Sequence, residues 1–423
     1  MSQSSSASIR TTPRPFPLAG DPVAVARGIA PRVRELAAKA EADAVVAPEL
    51  VQSFYEGGLY SLLIPTEIGG GTTHGEATPA EVLGTLEEIS AADGSTGWAL
   101  MAPMAGMGAN YAGLPDEGIE MIIASGNPIS AGETSPGGVA RRVEGGYIVS
   151  GRWRYASGSS AAGWFHAGFV VVDDDGKPVL NEKGAKSVIT GLTPASEVEL
   201  SGNWDVMGLV ATTSVDYAIK DHFLPDALVR SPQTLRGDTL HRAGVRSMTC
   251  MAHIGVALGI MRGALDEFAE FARTKVRPPS GLLARQETQQ TDFAKWRASY
   301  RSARAFALDA LDSLRDTVAA GEKATPEQEA DVRLAATHAI YQAADVTREI
   351  YLAAGGDGLR NGPENRIQRF FRDAHGASQH MLTDARHVYV ETGRIYLDPP
   401  GLPESFKKPL AAVLMPPIEW PAE

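Results

Sequence analysis

The chain has one cysteine, Cys250, among 423 residues, which excludes an internal disulfide, a redox CxxC pair and a thiolate metal site. A lone thiol of this kind is expected to be buried and structural. Positive charge is also scarce. The formal net charge is −12 at neutral pH and no basic tract stands out, whereas a nucleic-acid partner requires clustered Lys and Arg. No run approaches the ~20 apolar residues that cross a bilayer. Met1–Gly20, rich in Ser, Thr and Pro with two Arg and no apolar centre, lacks the layout of a secretory signal. These absences predict a cytoplasmic protein with no nucleic-acid or membrane partner, residues 1–20 forming a mobile arm. HExxH, Walker A and GxSxG patterns are missing too. The nine histidines are dispersed, without the spacing to Cys or carboxylates that holds zinc, so no metal is expected. The run Gly355-Gly356-Asp357-Gly358 follows a helical pattern instead of joining strand to helix, so it is a helix terminus and not a dinucleotide loop.

What is present divides into three blocks. The composition, 43% hydrophobic and 21% charged, can bury more than one core. Residues 21–126 read as helical: Asp21-Pro22 can cap and open a helix, Ile29, Val33, Leu36, Ala37 and Ala40 recur at helical spacing, and Pro31 should kink or restart it. Helical patterns also cover Pro48–Ile64 and Thr78–Ala92, with a turn at Gly69-Gly70-Gly71 between them. Residues 127–236 alternate at period two, with Val215, Tyr217 and Ile219 on one face and Asp216, Ala218 and Lys220 on the other. Tyr147–Tyr155 and Phe169–Val172 read similarly, and Asp173–Gly176 supplies a turn. Over 237–400 the helical period returns. Its clearest start is Thr325-Pro326-Glu327-Gln328, a capping box with a first-turn proline, and its stop is Gly355-Gly356. Residues 401–423 form a tail. The long C-terminal helices carry more apolar stripe than one small β domain can cover, which points to a homo-oligomer.

Five segments in one order carry a family resemblance: Gly58-Leu59 to Ile68-Gly69-Gly70, Asp93-Gly94-Ser95-Thr96-Gly97-Trp98, Pro136-Gly137-Gly138 through Val143 to Gly158 (VEGGYIVSGRWRYASG), Trp204–Ser214 with Phe223-Leu224-Pro225, and Arg369–Asp373 leading to His380. Together they resemble the flavin-dependent monooxygenases that share the acyl-CoA dehydrogenase fold. The resemblance implies a mainly α protein: an N-terminal helical domain, a central β-barrel-like domain and a C-terminal four-helix bundle, assembled as a homotetramer. Its implied function is that of the oxygenase component of a two-component system. Such a protein takes reduced flavin, FMN or FAD, from a separate flavin reductase and uses O2, through a flavin C4a-hydroperoxide, to oxygenate a small aromatic or heteroaromatic substrate.

A dehydrogenase of the same fold needs a carboxylate to remove a proton beside the thioester. In most such enzymes it lies eight residues after the Asp of the Arg-Asp pair, which is Met381 here; in a few it lies ten before the Gly of a Leu-Gly pair, which is Thr249. Neither residue is a carboxylate, although Glu133 remains available elsewhere. By resemblance, His380 lies over the flavin and hydrogen-bonds the peroxide or activates a substrate OH or NH, as an imidazole on a bundle helix near neutral pH can do. His375, five residues earlier, would point about 140° away on a helix. Ser157 matches the hydroxyl at flavin N5 and O4. Tyr155 matches the aromatic residue beside the ring system, Thr134 the loop at the pyrimidine, Arg273 a flavin phosphate contact, and Trp98 a wall of the substrate cavity. Leu352 replaces the Gln that receives the adenine half of FAD from a neighbouring subunit, which leaves FMN as plausible as FAD. A dehydrogenase with a relocated base and a catalytically silent scaffold remain the alternatives.

Overall fold

The computed structural model describes residues 16–360 and 365–397. The first helix, α1 (Pro22–Asp43), is capped by Asp21, whose carboxylate accepts from Ala24 N at 2.9 Å. It runs through Pro31 without a break, contrary to the expected restart. Phe16 and Ala19 are buried, and Phe16 stacks on Tyr111 with centroids 6.3 Å apart. The end of the predicted mobile arm is therefore packed; residues 1–15 lie outside the described residues. Helix α2 covers Pro48–Glu56 only, and Leu59–Ser61 is a short 3-10 turn. Next come α3 (Pro79–Ala92), with a capping box between Thr78 and Glu81, α4 (Gly94–Tyr111) and α5 (Asp116–Ala124).

The central block is a six-stranded sheet made of β1 (Ser130–Val143), β2 (Gly146–Ala156), β3 (Trp164–Val172), β4 (Val188–Pro194), β5 (Glu199–Leu200) and β6 (Val215–Pro225). The order is β4-β3-β1-β2-β6-β5, with β1 parallel to β3 and the other neighbours antiparallel. The sheet curls until β4 meets β6: a Cβ on Gly191 would fall 2.3 Å from Leu224 Cδ2. The Trp153 ring fills the curl, stacked 5.2 Å from Tyr217 and edge-on 5.1 Å from Phe169, with Nε1 donating to Gly168 O at 3.0 Å. Side chains on Gly137, Gly138 or Gly151 would each come 2.6 Å or less from that ring or the adjoining backbone. Part of the glycine content of the third segment is thus room for one tryptophan.

The last block holds α6 (Thr239–Arg242), α7 (Val245–Thr274), α8 (Glu287–Ala319), α9 (Pro326–Ala354), α10 (Ile367–Ala377) and α11 (Ala385–Leu397). Thr325 and Gln328 form the expected capping box, and Gly355, at φ 62°, ends α9. The fourth bundle position is split between α10 and α11, and His380 lies in the break. Helix α7 is by length and composition apolar enough to cross a membrane, but 89% of its most apolar window is buried in protein. It carries Cys250, fully buried, with its thiol pushed up to about 12 by burial. Gly255, Gly259 and Gly263 recur every fourth residue along α7. There, Cβ atoms would fall 2.8 Å from Leu86 Cβ, 2.5 Å from Ser90 Cβ and 2.5 Å from Ala91 O. This glycine groove lets α3 lie against α7, joining the N-terminal block to the bundle. Polar contacts reinforce the junction: the buried Glu87 of α3 accepts from Arg262 at 3.3 Å and Arg304 at 3.0 Å, and Arg366, paired with Glu267 at 2.9 Å, donates to Ala92 O at 2.5 Å.

Candidate active site

The DGSTGW segment sets one wall. Asp93 caps α4, its carboxylate accepting from Thr96 N at 2.9 Å and Thr96 Oγ1 at 2.7 Å. Gly97 leaves space for Ser90, whose Oγ would lie 1.9 Å from a Cβ there. With the helix start so fixed, Trp98 points toward the end of β2. That strand stops at Ala156, and Gly158 turns the chain at φ 81°, where a Cβ would fall 2.6 Å from Pro103 Cγ of α4. Between them Ser157 Oγ accepts from Trp98 Nε1 at 3.2 Å and shares a 2.7 Å hydrogen bond with Ser214 Oγ.

Ser214 in turn meets Thr212 Oγ1 at 2.7 Å, and Thr212 donates to Leu209 O at 2.8 Å. Leu209 O also accepts from Trp204 Nε1 at 3.1 Å, while Leu209 N donates to Asp373 Oδ1 at 2.6 Å. The Trp204–Ser214 loop is therefore anchored on α10 and orients Ser157 through a row of hydroxyls. The Asp373 carboxyl is raised to about 7, first by burial and second by the nearby Asp93, and its Oδ2 has no partner.

His380 reaches the same Trp98 from the bundle, with ring centroids 5.7 Å apart. It is not on a helix as expected: α10 ends at Ala377, and His380 caps the short 3-10 turn Met381–Thr383. The geometric comparison with His375 therefore does not hold. His375 stays on α10, packed on Phe371 with its Nδ1 at Phe371 O, 2.7 Å away. The His380 Nδ1 accepts from Leu382 N at 3.3 Å, so the neutral ring carries its proton on Nε2. Burial, and then the neighbouring His253, hold this imidazole well below the usual histidine range, so it is neutral at pH 7.

Two other predicted residues join the group less directly. Tyr155 is exposed and lies edge-on to Trp204, 5.8 Å away, on the loop that orients Ser157. Thr134 is half-buried in the bulged stretch where β1 shifts register against β3, between Glu133 and Pro136; no described contact ties it to Ser157. Arg273 does not join within one protomer. It is exposed near the end of α7, 20 residues or about 30 Å of helix beyond His253. That end meets the end of α9, where Arg277 donates to Ala353 O and Ala354 O, both at 2.7 Å, and Leu352 is exposed. Of the possible dehydrogenase bases, Thr249 donates to Val245 O, Met381 is an exposed thioether, and Glu133 Oε1 accepts from Ser135 N and Oγ at 2.8 and 2.9 Å.

Sequence reading missed Ser214, Thr212 and His253. The first two end the Trp204–Ser214 run already singled out, and a Thr-Thr-Ser triplet closing a loop is a signal that could have been followed. His253, on α7, packs 4.4 Å from His380 and 5.1 Å from Trp98. Nothing in its apolar surroundings marks it in the sequence.

The donor set suits a flavin. Ser157 presents a preorganised hydroxyl, Tyr155 an exposed ring packed on the half-buried Trp204, and two neutral imidazoles reach the same Trp98 that binds Ser157. The residues that would hold such a group are Ser157 and Tyr155, with Thr134 on the adjoining strand β1.

Residues 251–385 match the family model described as acyl-CoA dehydrogenase, C-terminal domain. The indole-3-acetate monooxygenase of Pseudomonas putida is 31% identical over 366 residues, covering 85% of this chain and 89% of that protein. The flavin-dependent monooxygenase oxygenase subunit HsaA of Rhodococcus jostii is 27% identical over 384 residues, covering 86% and 94%. Among solved structures, the HsaA monooxygenase from M. tuberculosis superposes with a TM-score of 0.77 at 25% identity over 90% of this chain and 98% of that one. TdsC from Paenibacillus sp. A11-2, solved with FMN and indole, shares the fold at a TM-score of 0.74 and 20% identity, over 89% and 97%.

Proposed function

Because this chain belongs to the flavin-dependent monooxygenases built on the acyl-CoA dehydrogenase fold, we propose that it is the oxygenase component of a two-component system acting on a small aromatic or heteroaromatic compound. It is an oxidoreductase that uses reduced flavin. When bound, the reduced flavin supplies two electrons, so that one atom of O2 enters the substrate and the other leaves as water. A separate reductase supplying that flavin, a homotetrameric assembly and a cytoplasmic setting complete the reading.

The observation that carries it is the convergence of Ser157 from the β domain, Trp98 from α4 and His380 from the break after α10, at positions where a dehydrogenase base is replaced by Thr249 and Met381. The Ser157 hydroxyl is fixed between Trp98 and Ser214, so it acts as a preorganised dipole toward the flavin. The neutral His380 offers an Nε2–H donor to an oxygen atom beside it. Trp98 of the apolar helix α4 touches both, donating to Ser157 and packing 5.7 Å from His380, and its ring is a wall that would shield the reacting atoms from water once flavin is bound.

The test is isotope labelling. With a flavin reductase, a nicotinamide donor, FMN or FAD and ¹⁸O2, incubation with indole or a simple phenol should give a product bearing one ¹⁸O atom. Flavin bleaching by an acyl-CoA, with no label in any aromatic product, would favour the dehydrogenase reading instead.

A further inference from the structure

His253 lies in the N-terminal third of α7, 3% exposed, against Trp98 and His380. Its Nδ1 lies 2.8 Å from the Thr249 carbonyl. A carbonyl can only accept, so the ring proton is on Nδ1 and Nε2 is a bare lone pair. That Nε2 is buried and has no protein partner. A buried acceptor left unmatched is costly, and native structures pair such atoms with protein, water or ligand. The neighbouring His380 has the opposite arrangement, Nδ1 committed as acceptor to Leu382 N and the proton on Nε2. Two touching imidazoles are therefore locked in complementary states, one a donor and one an acceptor. Burial pushes His253 down to about 4, so neither ring is charged at neutral pH.

In this tautomer His380 can donate but not accept, so it cannot be the group that receives a substrate proton or hydrogen bond. Trp98 Nε1 is committed to Ser157. Of the three rings, only His253 offers an acceptor. We infer that His253 is the specificity-determining acceptor for a ring N–H or phenolic O–H of the substrate, with His380 as the facing donor, so that substrates are aromatic compounds carrying such a group. The inference rests on the aromatic monooxygenase reading above.

Binding tests it independently of turnover. Kd values for indole, 1-methylindole and benzothiophene would be measured calorimetrically on the full-length protein and on His253→Phe, which keeps a ring against Trp98 and His380 but removes the acceptor. The intact protein should prefer indole by about tenfold or more over both analogues, the value of one well-placed buried hydrogen bond. In His253→Phe that preference should fall to near one while 1-methylindole binds as before. His253→Gln, which restores an amide oxygen acceptor, should recover part of it. Equal binding of the three compounds by the intact protein, or a preference surviving in His253→Phe, overturns the inference and leaves a water as the partner of Nε2. Discrimination without ¹⁸O incorporation would instead sink the monooxygenase reading and leave the His253 assignment standing.

Discussion

At the level of single residues, the site depends on which hydrogen-bonding state each group is held in. His380 is neutral, and its donor is aimed by Leu382 N. His380→Ala should slow oxygen transfer roughly 10²–10⁴-fold, the range for a lost positioned acid or base, with circular dichroism unchanged because the side chain leaves a half-buried turn. Because His380 and His253 are both held below the usual histidine range, turnover by the intact protein should show no inflection near pH 6.5; a clear one there would contradict the neutral pair. Ser157→Ala acts differently. Its hydroxyl links Trp98 to the Ser214–Thr212 row, so its loss should raise hydrogen peroxide release per reduced flavin consumed more than it slows flavin oxidation. A peroxide assay against product yield reads that ratio. Ser157 and His380 could be named from the sequence because each follows a quotable motif. His253 could not, since its role comes from a tautomer that only the Thr249 carbonyl four residues earlier reveals.

At the level of elements, close approach is built from small residues that composition alone does not interpret. On Gly259 a Cβ would meet Ser90 Cβ at 2.5 Å and Glu87 O at 2.7 Å. Gly259→Val should therefore cost about 3 kcal/mol, the upper end for overpacking, whereas Gly28→Ala on α1, exposed and with nothing within 4 Å, should be neutral or slightly stabilising. Thermal melts of the two variants make the comparison. Helices with a cap and one apolar stripe were legible: Asp21 and the Thr325–Gln328 box stand where the pattern put them. Helix α4 gave no such stripe, because 16 of its 18 residues are buried and a helix buried all round has no period to read. The break after α10 was equally silent, which is why His380 was expected on a helix.

The junction at Asp373 also yields a pH prediction. Its carboxyl is raised to about 7 in the folded protein, chiefly by burial, against roughly 3.9 in an unfolded chain. Between those values the folded state holds the extra proton, so this group's contribution is full below about 4 and is lost as pH rises through 7. Asp373→Asn keeps an oxygen for Leu209 N and removes the titration. The variant should gain stability relative to the parent as pH climbs from 5 to 8, in denaturant melts at each pH. A difference independent of pH would show that Asp373 is already ionised at pH 5.

At the level of the whole molecule, the order helices, sheet, helices was readable from the change of period alone, but what covers the outer faces was not. Helix α11 buries Val388 and Thr392 toward α9. Its opposite face presents Tyr389, Val390, Tyr396 and Leu397, the last 80% exposed, at spacings of one, seven and eight that form a single stripe. Leu352 and Leu359 are exposed by 60% and 69% at the end of α9. The α11 stripe, whose end lies against the start of α9 through Tyr396 and Asp331, and the Leu352–Leu359 patch at the other end of α9 are the apolar surfaces that a second copy of this chain, with net charge −12, is expected to cover. Arg273, about 30 Å of helix from His253, and Leu352 at the same end of the bundle are where the family resemblance expects a flavin belonging to another subunit. Sedimentation velocity at micromolar concentration should give a homo-oligomer, with a tetramer as the expected mass. Val390→Lys paired with Leu397→Lys should shift it toward smaller species while leaving the α-helical signal intact. A monomer at that concentration in the parent protein would rule out the shared flavin site together with any role for Arg273 in it, and would confine the cofactor contacts to Ser157, Tyr155 and Thr134.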